Sequence, residues 1–130
     1  MKRHEIVDYW INSADKDFEA MNTLFDNGHF TWSLFVGHLV IEKLLKAYYV
    51  KAVGPDTPKT YNLLRIAELT GIPLSDDIKD VLLEITAFNL KTRCPDYKMR
   101  FYKKATIDFT EKYINKIKEL REWLLERLKS

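Results

Sequence analysis

The stretch FTWSLFVGHLVIEKLLKAYYVKAV, residues 30–53, decides the fold. Phe35, Leu39, Leu44, Leu45 and Tyr48 lie among further apolar residues, so a helix drawn through them is apolar nearly all round. Such a helix belongs at the centre of a bundle, or buries a second face in a partner. Gly54-Pro55-Asp56-Thr57-Pro58 ends it, because proline cannot continue a helix and glycine accepts the left-handed cap. The stretch is no membrane span. His38, Glu42, Lys43, Lys46 and Lys51 interrupt it, and no uninterrupted apolar run approaches the roughly 20 residues a span requires.

Outward from this centre the periodicity stays helical. Ile6, Trp10, Ala14, Phe18, Met21 and Phe25 recur at steps of three and four, which is one face of a helix. Asp26-Asn27-Gly28 then supplies turn chemistry. A short helix is expected over residues 61–70, carried by Leu63, Leu64, Ile66, Ala67 and Leu69 and closed by Gly71-Ile72-Pro73. Ser75 or Asp76 can cap the next helix, whose buried face is Ile78, Val81, Leu82, Ile85 and Phe88. Thr92 to Phe101 reads as one long polar connection. A last helix follows from about Lys104 to Lys129, with the stripe Phe109, Tyr113, Ile117, Leu120, Leu124 and Leu128. The expectation is an all-α, up-and-down helical bundle of four long helices and one short helix, forming a single domain over residues 1–130.

Composition agrees and narrows the function. Hydrophobic residues make up 46% of the 130 residues, enough for one core without staples. The formal charge of +2 gives no case for a polyanion-binding protein by itself. Cys94 is the single cysteine, so neither an internal disulfide nor a cysteine-rich zinc site can form. Residues 1–9 are polar and contain no signal-peptide core. A cytoplasmic protein with no membrane role is the expectation.

Two places depart from a plain bundle. His38, Glu42 and Lys46 follow at i, i+4 and i+8 and so share one face of the most apolar helix. Glu42 and Lys46 can be a solvated pair worth a few tenths of a kcal/mol. Alternatively the row lines a cleft or a dimer seam, where burial of such groups demands partners. The second place is Arg93-Cys94-Pro95-Asp96. Pro95 drives Cys94 out of helical dihedrals. Arg93 suits the negative end of a helix dipole, and equally a phosphate or carboxylate. Asp96 fits a turn. Cys94 beside Pro95 reads as a packing residue rather than a nucleophile.

Here the chain resembles the HEPN family, the small helical partners of minimal nucleotidyltransferases. Trp10, Ala14, Asp17 and Ala20 sit as in that family's first helix. Gly28, Phe30, Phe35, His38, Glu42, Lys43, Leu45, Lys46 and Ala47 follow its pattern of an aromatic segment leading into a Glu-Lys-x-x-Lys core. Arg93-Cys94-Pro95-Asp96 resembles its Arg-Tyr-Pro-Asp signature, with Cys94 in place of the aromatic. Thr60-Tyr61-Asn62-Leu63 stands where the family usually has Thr-His-(Asp/Asn)-Leu, so Tyr61 can stack and hydrogen-bond but does no imidazole chemistry near neutral pH.

The resemblance implies a homodimer whose central helices form a cleft. It also implies a nucleotide ligand or a separate nucleotidyltransferase chain as partner, with a toxin–antitoxin-like pair as one setting. Lys43, Lys46 and Arg93 would then meet phosphate, His38 and Glu42 would orient, Tyr61 would stack on a base, and Asp96 completes the set. Many relatives are metal-independent ribonucleases marked by Arg followed after four to six residues by His. That spacing does not occur here: all 3 histidines lie at or before His38, and the positions after Arg93 hold Lys98, Met99 and Arg100. No phosphate-binding glycine loop and no metal-ligand spacing is present, so no catalytic residue, cofactor or metal is assigned. The chain reads as a binding module. RNA binding or weak ribonuclease action is the competing reading, supported by Lys91, Arg93, Lys98, Arg100, Lys103 and Lys104, with Tyr61 or His38 beside Arg93 as its acid–base grouping. A purely structural dimer is the third.

Overall fold

The structure, a computed structural model, describes residues 2–129. It is all-helical, as the periodicity predicts. The helices are α1 (Arg3–Asp26), α2 (Phe30–Ala52), α3 (Leu63–Thr70), α4 (Asp76–Arg93), α5 (Pro95–Lys104) and α6 (Ile107–Lys129). The central place of α2 follows from its sequence. Leu34, Val40, Ile41, Leu44, Leu45 and Val50 are all buried, and α1, α3, α4 and α6 pack around them. Gly37 lets α2 approach its neighbours closely. A Cβ built there would stand 2.5 Å from Ile117 Cδ1 and 3.2 Å from Met21 Sδ.

Local chemistry sets the helix ends. Gly28, at φ 79°, turns the chain between α1 and α2. The Asn62 side chain accepts a hydrogen bond from Arg65 N at 3.2 Å, which starts α3 at Leu63 and leaves Tyr61 in the preceding loop. Ser75 does the same for α4 through Ile78 N, and Asp76 and Asp77 complement the dipole there.

One element differs from the sequence reading. The segment Thr92 to Phe101 is not a connection: it holds the last two residues of α4, a break at Cys94 and most of α5. Pro95 ends one helix and begins the next. It forces Cys94 into extended geometry (φ −83°, ψ 123°), and its own fixed φ suits the first helical position. The bundle therefore has six helices among the described residues, and the final one starts at Ile107 rather than near Lys104. Phe101 is the sole fully buried side chain of α5 and stacks on Phe88 with centroids 5.4 Å apart. A single anchor leaves no periodic stripe, and for that reason α5 escapes a reading based on periodicity.

Candidate functional site

The polar row of α2 does not face water. His38 is 0% exposed, and the side chains of Glu42 and Lys46 are only 15% and 14% exposed. Burial of an imidazole demands partners for both ring nitrogens, and two distant segments supply them. His38 Nε2 lies 2.8 Å from the carbonyl oxygen of Tyr61. A carbonyl can only accept, so Nε2 carries the proton and Nδ1 is the acceptor. Asn89 Nδ2, on α4, approaches that Nδ1 at 3.4 Å. Asn89 Oδ1 in turn accepts from Arg93 Nε at 2.7 Å. The result is a continuous relay from the Tyr61 backbone through His38 and Asn89 to Arg93.

The electrostatics hold His38 neutral. Burial is the largest influence and pushes its pKa below the ordinary 6.5; the charges of Arg93 and Lys46 add to this. The hydrogen bond to Tyr61 and the carboxylate of Glu42 oppose the shift without cancelling it. Glu42 Oε1 stands 3.9 Å from His38 Nδ1, while its other oxygen takes Lys46 Nζ at 3.1 Å. Lys46 also lies over the Trp10 ring of α1, 5.3 Å from its centroid. The row is thus answered by α1 on one side and α4 on the other.

Arg93 is the outlet of this relay. Its Nε is held by Asn89, its guanidinium stands 5.9 Å from the centroid of the Tyr61 ring, and both residues are exposed. The terminal nitrogens remain available to a planar anion, and the ring beside them offers a stacking face.

Of the residues singled out in sequence, the structure brings together His38, Glu42, Lys46, Tyr61 and Arg93. Lys43 lies elsewhere. Its ammonium forms an ion pair with Asp17 at 2.6 Å and donates to Ser13 Oγ at 2.7 Å, both on α1. Asp96 is exposed in the first turn of α5, where a carboxylate complements the dipole. Asn89 is the residue that sequence reasoning passed over. It is 6% exposed and sits in the buried stripe of α4 among Leu82, Ile85 and Phe88. An asparagine on a core face four residues before an arginine is the signal that would have pointed to it.

Among the described residues no group of three or more His, Cys, Asp and Glu is placed to hold a metal ion, and no helix is long and apolar enough to cross a membrane. What the geometry defines is an all-helical domain with a buried polar relay ending in an exposed arginine–tyrosine pair. The HEPN domain family model matches residues 7–128, nearly the whole chain, and the protein belongs to the HEPN family. No curated protein and no solved structure matches the chain.

Proposed function

We propose that the protein is a HEPN-type binding module. In this reading Arg93 and Tyr61 receive a nucleotide at a homodimer seam, and a separate minimal nucleotidyltransferase chain is the physiological partner, in the manner of a toxin–antitoxin pair. The observation that carries the reading is the relay. A surface arginine has no need of a buried amide and a buried imidazole behind it, whereas an arginine that must meet phosphate in one orientation does. Tyr61 adds a ring for a base to stack upon. The seam is supported by Leu83 and Leu90, exposed at 49% and 37% and seven residues apart on one face of α4 that Arg93 borders. Lys43 and Asp96 have no part in this version of the site.

A thermal-shift screen of nucleoside mono-, di- and triphosphates tests it. A nucleotide at 100 times its dissociation constant adds about 2.7 kcal/mol of stability. Arg93→Ala removes that gain, Tyr61→Ala weakens discrimination among bases, and sedimentation gives a dimer. Absence of any shift, or a shift untouched by Arg93→Ala, rejects the site.

The RNA-binding reading has its own observation. On α5, Lys98, Arg100, Lys103 and Lys104 are exposed together with Tyr97, Met99 and Tyr102. Cations interleaved with rings suit single-stranded nucleic acid. A steep fall of RNA affinity with salt favours that reading over nucleotide binding.

A further inference from the structure

The flank of α4 turned away from Arg93 faces a second feature, unconnected with the relay. α4 and α6 each pack on α2, and they touch one another at Tyr113. There the Tyr113 hydroxyl donates to Glu84, and Phe88 lies edge-on to Tyr113 with centroids 5.1 Å apart. Beyond this closure the two helices stand apart and leave a groove of about 540 Å³. Its apolar surface comes from Ile78 and Val81 on α4 and from Leu120 and Trp123 on α6. It runs along α4 from Glu84 to Asp77, a span of about two helical turns or about 10 Å.

Charge distinguishes this groove from an ordinary gap between helices. Asp77, Asp80 and Glu84 line one wall and Glu119 the other, against a single cation, Lys116. Lys116 lies over the Tyr113 ring, 5.1 Å from its centroid, at the closed end. The chain as a whole carries +2, so this acidity is a local arrangement and not a consequence of composition.

We propose that the α4–α6 groove docks an amphipathic helix of another protein, one that presents apolar anchors at i, i+3 or i+4, and i+7 between flanking lysines or arginines. Two turns of such a helix match the length of the groove, its apolar edge covers Val81 and Trp123, and its cations meet the carboxylates on both walls. A second copy of this chain is the lesser candidate. Its basic helix is α5, whose exposed apolar side chains, Tyr97, Met99 and Tyr102, stand two and three residues apart and do not recur at i+7, where Lys104 follows Tyr97. Insertion of α5 into a neighbour's groove would also be a head-to-tail contact that need not close.

The probe is a fluorescent peptide of roughly 14 residues made only of leucine and lysine in an amphipathic helical pattern, followed by anisotropy on addition of the whole protein. Saturable one-to-one binding is expected. The double variant Asp80→Lys, Glu119→Lys weakens it by about tenfold or more through like-charge repulsion. Both positions are exposed, so the fold survives. Glu68→Lys, an exposed site on α3, leaves the affinity unchanged, and a scrambled peptide of equal composition fails to bind. Equal binding of the scrambled peptide, an equal loss with Glu68→Lys, or no loss in the double variant overturns the proposal. Concentration-dependent self-association abolished by the double variant assigns the groove to a second copy and overturns it likewise.

Discussion

Acid should weaken this protein through His38, and burial of the ring sets the direction. His38 is fully buried and its pKa lies below the ordinary 6.5, first because burial penalises the charged ring. In the unfolded chain the same ring titrates near 6.5. Between that value and the lower folded-state pKa, the unfolded state binds a proton that the folded state refuses. Stability therefore rises with pH across this window. It is fully present above 6.5 and falls by at most about 1.4 kcal/mol for each pH unit below it. The perturbation is His38→Gln, since a glutamine amide can still donate to the Tyr61 carbonyl but does not titrate. Urea denaturation followed by circular dichroism, from about pH 7.5 to about pH 5, gives the stability of each protein. Subtracting one curve from the other cancels every other titrating group. The difference should be flat above 6.5 and should move steadily against the native protein below it. Parallel curves, or a native protein that gains on its variant in acid, would falsify the assignment of a neutral, doubly bonded His38.

Phe101→Ala should cost about 3–5 kcal/mol and expose residues 95–104 to hydrogen exchange before the rest of the bundle, because α5 has one buried anchor. Equal protection of α5 and α6 in that variant refutes this account of α5. Lys43→Met should leave any nucleotide-induced thermal shift intact, because Lys43 lies on the α1 side, and should lower stability by about 1–3 kcal/mol, because it strands the buried Asp17 Oδ2. A lost shift would return Lys43 to the site. Alkaline titration should reveal one phenol pushed up to about 12, Tyr113, held there first by burial and then by its bond to Glu84. The folded state keeps that proton longer, so its contribution to stability is whole below pH 10 and declines toward pH 12. Tyr113→Phe removes the late-titrating step, and its persistence in that variant assigns the step to another tyrosine.

Much of the fold was legible because helix faces repeat locally. The all-round apolarity of residues 30–53 foretold the central helix, and the stripe from Tyr113 to Leu128 foretold the buried face of α6. The cap of α4 was narrowed to Ser75 or Asp76 for the same reason, since a cap and its partner stand three residues apart, and the structure gives it to Ser75. α5 was not readable, because proline reports where a helix stops as well as where one starts, and one phenylalanine has no period.

The sequence by itself determined that a row of polar groups crosses the innermost helix, and left open whether that row faces water or partners. Tertiary structure decided what answers it. Lys43 turned to Asp17 on α1, while His38 met a carbonyl 23 residues away and an amide 51 residues away. Spacing fixes which side chains share a face of one helix, since 3.6 residues make a turn whatever surrounds it. Which face meets which is set by how the helices rotate and pack to bury their apolar stripes together, and that sum is taken over the whole core.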